Sequence, residues 1–438
     1  MLKTVKFGGT SMADAAMMRK CEKILRSDPA RRYVVVSAPG KRFAGDEKVT
    51  DLLYRLYAEK YSGKDNGETL EKISSRFQEI VCDLGISFDL AGELAVIRRK
   101  LKENVPLEWL ISRGEYLCAK IFACYLGWPF ADAEKMIVFQ ENGTLAEETY
   151  DNVYAMLKDL DHAVIPGFYG RGPDGEVKTF TRGGSDVTGS VIARGMRVDL
   201  YENWTDVSGV KSADPRVIKD AKTVRWISYR ELRELSYMGA SVMHEEAVFP
   251  LKKTGIPICI RNTMAPEEEG TMIVANYPVE REKHPVTGIA GKKGFSNLQI
   301  EKALMNTQIG FGAKVLDIFA KHGISYEHTP TSIDIMSVIC ETLFMESCRN
   351  ELIMEIDAAL HPDRIFIEDG MALVAVVGEG IDANVGVAAR VLQSIAEAGI
   401  NVRMIDAGCS ELNIIIGVND TDYEKTIHAL YDGLYEFL

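Results

Sequence analysis

Residues 1–20, MLKTVKFGGTSMADAAMMRK, predict a strand, a glycine loop and a helix in direct succession. Val5 and Phe7 mark the buried face of the strand, and Thr10 or Ser11 is suited to open the helix. A pair of glycines lets the backbone approach a ligand closely, and a helix start presents free N–H groups that favour an anion. The stretch therefore predicts either an anion-binding loop or an ordinary tight turn.

Lys6 distinguishes this loop from two common nucleotide motifs. A P-loop places its Lys after the glycines, whereas Lys6 precedes Gly8 and Gly9 on the strand. The glycine spacing also differs from the dinucleotide fingerprint. If the loop binds an anion, Lys6 would stand beside it.

Composition limits the class of protein. A chain of 438 residues is expected to form two or three domains, and its net charge of −13 argues against nucleic acid or an anionic membrane as a partner. The eight Cys form no CxxC pair and have no His at metal-ligand spacing, so we expect reduced thiols and no metal site built by the protein. We expect no signal peptide and no membrane-spanning run, and hence a cytoplasmic protein.

Short apolar runs alternate with helical stretches over the first part of the chain. Examples are YVVVSA at 33–38, HAVIPGF at 162–168 and IPICIRN at 256–262. This alternation is typical of an α/β domain around a largely parallel sheet. We assign that domain to residues 1–277, followed by a charged, proline-containing linker at 278–285.

An internal repeat occupies the remaining residues, 286–438. AKVLDIFAKHGIS at 313–325 matches ARVLQSIAEAGIN at 389–401, an offset of 389 − 313 = 76 residues. Each copy predicts a helix that ends at Gly and leads into a strand, so two small modules are expected. A Gly-x-Gly-x-x-Ala pattern starting at Gly378 resembles a dinucleotide fingerprint, but too few residues follow it for such a domain.

A second Gly-Gly loop, TRGGSD at 181–186, also precedes a predicted helix. Arg182 is able to bind a carboxylate through two hydrogen bonds, and Ser185 and Asp186 lie in the first turn, where N–H groups are exposed. This pattern favours an anionic substrate. In the alternative, Asp186 only complements the helix dipole and Arg182 is a surface residue.

A third segment, NWTDVSGVKSADPR at 203–216, follows an apolar strand. Thr205 and Asp206 are candidates to bind a base or ribose edge, and Lys211 and Arg216 would supply positive charge for phosphates. An ordinary Asp-Pro turn is the alternative interpretation of this segment.

Taken in order, these segments resemble the motifs of aspartate kinases, within the amino-acid kinase superfamily. The resemblance rests on KFGGTS, SRGE ending at Glu115, GFYG starting at Gly167, TRGGSD and TDVSGVKSADPR, and the duplicated tail resembles tandem ACT domains. It implies an α/β amino-acid kinase fold followed by two ferredoxin-like ACT modules, one inserted in the other. The implied reaction transfers the γ-phosphate of ATP, with Mg²⁺, to the β-carboxylate of L-aspartate. The product would be 4-phospho-L-aspartate, at the first step of lysine, threonine and methionine biosynthesis.

The resemblance also implies roles for individual residues. Lys6 would stabilise the transferring phosphoryl group, and Asp186 would organise that lysine. Arg182 would bind a carboxylate of aspartate, and Glu115 would lie near its ammonium group. The implied nucleotide contacts are Gly8, Gly9, Thr205, Asp206, Lys211 and Arg216. The implied aspartate contacts are Ser37, Thr50, Glu115, Phe168, Arg182 and Ser185.

Two features depart from the family pattern. Ser241 stands where many relatives carry a Lys at the nucleotide site, and we hypothesise that Lys211 replaces that charge. The segment between Ser37 and Thr50, which includes PGKRFAGDEKVTD at 39–51, is long and charged.

Paired ACT modules imply a homo-oligomer that binds an amino-acid effector. Glu327 favours Lys as that effector, because its carboxylate would pair with the ε-ammonium group. Thr, alone or together with Lys, is the runner-up, and a Glu327 that is merely solvated is the alternative. The candidate effector residues are Gln308, Gly310, Phe311, Ser325, Glu327, Thr331 and Ser332.

A protein of another class remains as the alternative function. It is a non-catalytic amino-acid sensor, in which the ACT pair is attached to a decayed kinase domain. The presence of Lys6, Arg182 and Asp186 argues against such decay. We expect no homoserine dehydrogenase domain after residue 438.

Overall fold

The computed structural model describes residues 1–181, 183–240, 243, 245–277, 284–407 and 411–438. The chain forms two compact units. Unit 1 comprises Met1–Val210, Thr223–Leu232 and Ser241–Glu280, and unit 2 comprises Lys211–Lys222, Arg233–Ala240 and Arg281–Leu438. Unit 2 thus includes two segments that precede the predicted linker. Most of that linker, 278–283, lies outside the described residues.

The first part of the chain alternates strands and helices. Its strands are β1 (Lys3–Phe7), β2 (Arg31–Val36), β3 (Ala163–Pro166), β4 (Tyr169–Arg171), β5 (Val177–Thr179), β6 (Leu200–Thr205), β7 (Trp226–Ser228), β8 (Ile258–Asn262) and β9 (Thr271–Val274). Its helices are α1 (Ala15–Arg26), α2 (Val49–Ser62), α3 (Gly67–Leu84), α4 (Leu90–Lys102), α5 (Leu107–Leu126), α6 (Glu148–Leu157), α7 (Gly184–Gly195), α8 (Tyr229–Tyr237) and α9 (Glu245–Lys252).

The central sheet of unit 1 has the strand order β3-β2-β1-β6-β8-β9-β7. Its pairs are parallel except β8 with β9, so the predicted largely parallel sheet is confirmed. Val5 and Phe7 of β1 are fully buried, as the alternating pattern predicted. Helix α5 supplies much of the adjoining core, because its apolar side chains are buried around most of its circumference.

The first helix begins later than the sequence predicted. Thr10 and Ser11 lie in a short 3₁₀ turn, Thr10–Met12, and α1 starts at Ala15. The side chain of Asp14 accepts a hydrogen bond from the N–H of Met17 at 2.9 Å, which caps the helix at that point.

Unit 2 contains a second sheet, in which neighbouring strands are antiparallel. Its strand order is β11-β10-β12-β14-β13, and β10 pairs with β12 along most of its length. The strands are β10 (Gly288–Glu301), β11 (Ile335–Glu341), β12 (Arg364–Val377), β13 (Met404–Ala407) and β14 (Asn413–Asn419). The helices are α10 (Phe311–Lys321), α11 (Thr342–Glu346), α12 (Arg349–Leu360), α13 (Val387–Glu397) and α14 (Tyr423–Gly433).

The internal repeat is visible in helices α10 and α13. Gly310 (φ 81°) and Gly386 (φ 98°) precede the two helices at equivalent positions, in a backbone conformation that favours glycine. Among the described residues, the strand expected directly after each helix forms in the second copy, as β13, but not in the first. The first copy makes isolated bridges, at His328 and Thr331, because the intervening Pro330 has no N–H to donate.

Candidate active site

Several residues predicted for the site lie at the carboxyl ends of adjacent strands. Gly8 follows β1, Ser37 follows β2, Gly167 follows β3, and Thr205 ends β6. Because these strands are parallel, their carboxyl ends share one edge of the sheet. Ligands of open α/β sheets bind at this edge.

Lys6 and Asp186 meet at the centre of this edge. Lys6 is buried in β1, and its Nζ forms an ion pair with Oδ1 of Asp186 in the first turn of α7. Helix α7 begins after Gly183, which has the left-handed φ of 57°. The exposed fractions of the two side chains are 9% and 17%, so water screens this pair less than it screens a surface pair.

Asn203 belongs to the same cluster, although the sequence analysis did not select it. It lies on β6 directly opposite Lys6, and its Nδ2 donates a hydrogen bond of 3.0 Å to Oδ1 of Asp186. Asn203 is buried, and its Oδ1 has no hydrogen-bond partner among the described residues. The available signal was an amide side chain within an otherwise buried strand, LYENWT.

The first glycine loop packs closely against this cluster. A Cβ atom added to Gly8 would lie 3.6 Å from Nζ of Lys6, and one added to Gly9 would lie 3.2 Å from the carbonyl oxygen of Ala38. The N–H of Gly8 donates to the carbonyl of Trp204 at 3.0 Å. The loop thus places backbone close to the lysine ammonium group.

Glu115 projects from α5 and is buried, with 5% of its surface exposed. Its Oε2 has no hydrogen-bond partner within the described part of the chain. Burial raises the pKa of Glu115 to about 8, although N–H groups of Ala38 and of Glu115 itself oppose the shift. A buried carboxyl group with an unpartnered oxygen is suited to bind a cationic group, which would stabilise its ionised form.

Three further predicted aspartate contacts lie next to the strand ends. The N–H of Ser37 donates to the carbonyl of Phe7 at 3.1 Å, and the N–H of Phe168 donates to Oγ1 of Thr188 at 3.0 Å. A Cβ atom on Gly167 would lie 2.6 Å from Oγ of Ser185, so these two positions are in close contact. The structure therefore brings Ser185 against Gly167, the residue that precedes Phe168.

Thr50 lies in the first turn of α2. Val49 and Leu53 of that helix face Gly114, the neighbour of Glu115, because a Cβ atom on Gly114 would approach them to 3.6 and 3.2 Å. Arg182, predicted to bind aspartate, and Ser241, which departs from the family pattern, lie outside the described residues.

The predicted nucleotide contacts are divided between the two units. Thr205 and Asp206 belong to unit 1, where Oγ1 of Thr205 donates to Oδ1 of Asp206 at 3.2 Å. Lys211 and Arg216 belong to unit 2. Arg216 is exposed and pairs with Asp214 at 2.6 Å.

The candidate effector residues form two neighbouring segments of unit 2. Gly310 and Phe311 begin α10, where a Cβ atom on Gly312 would lie 3.7 Å from the sulfur of Met336. Thr331 forms a bridge with the same Met336, so the two segments meet there. Gln308, Ser325 and Ser332 are exposed near these segments.

Glu327 has a defined partner in the same unit. Its Oε2 accepts a hydrogen bond of 2.5 Å from the hydroxyl of Tyr237, the last residue of α8. Its backbone N–H donates to the carbonyl of Ile339 at 2.8 Å. Glu327 is therefore held by neighbouring elements and is not a freely solvated side chain.

None of the described helices combines the length and apolar character needed to cross a membrane. Likewise, the described His, Cys, Asp and Glu side chains form no group of three or more that could hold a metal ion.

Two family models match this chain. The amino acid kinase family model matches residues 1–262, and an ACT domain model matches residues 374–434. Aspartokinase 3 of Bacillus subtilis is 39% identical over 451 residues, covering 99% of this chain and 99% of the relative.

Solved structures agree with these matches. The crystal structure of Clostridium acetobutylicum aspartate kinase is 43% identical, with a TM-score of 0.91 and 99% coverage of both chains. E. coli aspartokinase III in complex with aspartate and ADP (R-state) has a TM-score of 0.75 at 25% identity, covering 99% of this chain and 100% of that one. The same enzyme in complex with lysine and aspartate (T-state) also gives a TM-score of 0.75, at 26% identity and 99% coverage of both chains.

Proposed function

The chain belongs to the aspartate kinase family, as its motifs predicted, and on that premise we propose that it phosphorylates the β-carboxylate of L-aspartate. It is an ATP-dependent kinase with a mostly parallel α/β catalytic sheet and a C-terminal ACT region. The product would be 4-phospho-L-aspartate, a precursor for lysine, threonine and methionine.

The observation that best supports this proposal is the ion pair of Lys6 with Asp186 beside Gly8. The β-carboxylate of aspartate is already ionised at neutral pH, so the reaction needs no strong base. Its obstacle is repulsion between the carboxylate and the phosphates, which a positioned ammonium group reduces. Asp186 and Asn203 would hold the Lys6 ammonium group in place for that purpose.

Glu115 supports aspartate as the acceptor. Its buried and unpartnered Oε2 would accept a hydrogen bond from the ammonium group of the amino acid, and ionisation of Glu115 would be favoured by that charge. Ser37, Phe168 and Ser185 lie at the same edge of the sheet. E. coli aspartokinase III has been solved in complex with aspartate and ADP. That complex agrees with aspartate as the acceptor and an adenine nucleotide as the donor.

Mg²⁺ would accompany ATP. Proteins usually hold this ion through one or two carboxylates together with the substrate phosphates, and the Asp186 carboxylate beside Lys6 fits that requirement. When bound, the ion neutralises phosphate charge.

We also propose that lysine, alone or with threonine, inhibits the enzyme through the ACT region. E. coli aspartokinase III with lysine bound in its T-state supports an effector of this kind. The enzyme would be a cytoplasmic homo-oligomer joined through its ACT modules. Ile309 and Val385, at equivalent repeat positions 385 − 309 = 76 residues apart, are fully exposed apolar side chains that favour such an interface.

The proposal is tested by measuring ADP release in the presence and in the absence of aspartate. We expect ADP release that depends on aspartate, together with an acyl phosphate that hydroxylamine traps as aspartyl hydroxamate. Addition of lysine or threonine then tests inhibition. A protein that binds lysine but forms no hydroxamate would instead be the non-catalytic sensor.

A further inference from the structure

Arg76 lies outside every motif of the site, yet its guanidinium group is buried, with 5% of the residue exposed. It projects from α3 and contacts three separate parts of unit 1. Nη2 donates to the carbonyl of Gly40 at 2.5 Å, Nε donates to the carbonyl of Ala13 at 3.3 Å, and Nη1 pairs with Asp46 at 2.7 Å.

Gly40 is packed directly against the first glycine loop. Its N–H donates to the carbonyl of Gly9 at 2.8 Å. A Cβ atom on Gly40 would lie 2.6 Å from the carbonyl carbon of Gly9 and 2.8 Å from the nitrogen of Thr10, so no other residue fits there without displacing the loop. The position of Gly40 therefore determines the position of Gly9.

Ala13 lies just after the same loop in the chain. It follows the 3₁₀ turn Thr10–Met12, and its N–H donates to the carbonyl of Thr10 at 3.4 Å. Arg76 thus joins the backbone that precedes α1 to the backbone that supports Gly9.

We propose that Arg76 is a positioning residue for phosphoryl transfer, which fixes the Gly8–Gly9 loop by holding Gly40 and Ala13. The role in catalysis rests on the proposed kinase function. The effect on nucleotide binding follows from the loop geometry alone, since helix starts and glycine loops hold phosphates through backbone N–H groups.

The chemistry of the side chain fits this role. A guanidinium group presents five N–H donors in a planar fork, so it reaches two carbonyls and a carboxylate at once, whereas a Lys ammonium group lacks this fixed geometry. The charged segment 39–51, in which only Thr50 had a predicted role, then also serves to bring Asp46 to Arg76. Arg42 binds the same carboxylate through Nε at 2.8 Å, and its other side-chain hydrogen bonds among the described residues go to Asp46 and Glu79 rather than to the loop.

The matched pair of variants is Arg76→Met and Arg42→Ala. Both lose a partner of Asp46, but only Arg76→Met loses the two carbonyl contacts. The measurements are kcat, KM for ATP and aspartate, the Kd of ADP by calorimetry, and the thermal midpoint. We expect Arg76→Met to lower kcat at least tenfold and raise the Kd of ADP at least fivefold, with KM for aspartate changed less than twofold. Arg42→Ala should stay within twofold of the wild type throughout.

A second variant covers the case in which Arg76→Met fails to fold. Gly40→Ala leaves Arg76 and Asp46 in place but displaces Gly9, and it should show the same loss of kcat and ADP affinity. The proposal is wrong if Arg76→Met, or Gly40→Ala in its place, binds ADP and turns over like the wild type, or if Arg42→Ala is equally impaired. If the wild type forms no aspartyl hydroxamate, the kinase proposal fails, and the ADP affinities still decide the role of Arg76.

Discussion

Lys6 and Asn203 face each other across the parallel strands β1 and β6, and both side chains end at the carboxylate of Asp186. The cation is therefore held by a carboxylate, which a neutral amide in turn orients, in a largely buried setting. This arrangement fixes the ammonium group while leaving one side of it toward Gly8.

Lys6→Ala should lower kcat by about 10² to 10³, because a positioned cation at developing negative charge is worth that much in rate. KM for aspartate should change much less, since Lys6 faces the phosphate loop. Steady-state kinetics with both substrates varied measures this. Turnover within tenfold of the wild type would remove Lys6 from the catalytic role, provided that circular dichroism shows a folded variant.

Asn203→Leu should lower kcat by about tenfold or more, because a hydrogen bond to a charged group contributes about 1.5 to 3 kcal/mol. The variant keeps Lys6 and Asp186 but frees the carboxylate to rotate. If the three residues act as a unit, the double variant with Lys6→Ala should be no slower than Lys6→Ala alone. Losses that multiply in the double variant would show that Asn203 acts independently of Lys6.

Glu115 should make the binding of aspartate depend on pH. In the free protein burial holds its pKa at about 8, so the carboxyl group is mainly protonated at neutral pH. The ammonium group of aspartate favours the ionised form, so binding releases a proton and KM for aspartate should fall between about pH 6.5 and 8.5. Glu115→Gln should raise KM and remove this dependence. A KM that stays constant with pH in the wild type would contradict the assignment.

The same group makes a signed prediction for stability. An unfolded chain loses the Glu115 proton near the ordinary pKa of 4.5, whereas the folded protein keeps it until about pH 8. The free energy of unfolding should therefore contain a contribution that falls as pH rises through this window. Urea unfolding of Glu115→Gln beside the wild type measures it as the difference between the two pH profiles.

Glu202 should contribute to stability in the opposite sense. It is 1% exposed and accepts hydrogen bonds from Lys3 at 2.8 Å, Arg31 at 2.7 Å and Trp204 at 2.9 Å. Burial alone would raise the pKa of Glu202, but the hydrogen bonds and charges of Arg31 and Lys3 hold it below its ordinary value. Its contribution is therefore complete above the ordinary pKa and is lost as pH falls below it.

Glu202→Gln should lower the free energy of unfolding by about 3 kcal/mol at neutral pH, because it leaves two buried cations without their shared anion. The control is Asp28→Asn, which also loses a contact with Lys3 but at a more exposed carboxylate. Denaturant unfolding should show a much smaller loss for that control. Equal losses of unfolding free energy in the two variants would mean that the burial of Glu202 does not increase its contribution to stability.

Glu327→Gln should weaken inhibition by lysine while leaving the uninhibited kcat unchanged, because the ε-ammonium group would lose its charged partner. Tyr237→Phe is the matched variant, since it removes the hydroxyl that binds Glu327 but keeps the carboxylate. Inhibition should persist in Tyr237→Phe, at an equal or lower concentration of lysine. The measurement is the concentration of lysine that gives half inhibition. An unchanged value in Glu327→Gln would remove Glu327 from the effector site.

Much of the molecule follows from local sequence patterns. The loops at Gly8 and Gly183 lie where the strand–glycine–helix pattern predicted them, and the 76-residue repeat reappears in α10 and α13. Such features depend on backbone conformation and short-range periodicity, which neighbouring residues determine. The order of the motifs was sufficient to identify the family.

Tertiary structure alone decided which distant side chains meet. Asn203 reaches Asp186 because β6 pairs with β1, and Arg76 reaches Gly40 and Ala13 because α3 packs beside the loop. Neither contact leaves a local signal, since strand register and helix packing depend on residues far apart in the chain. The raised pKa of Glu115 has the same origin, because burial from all sides changes the free energy of its charged form.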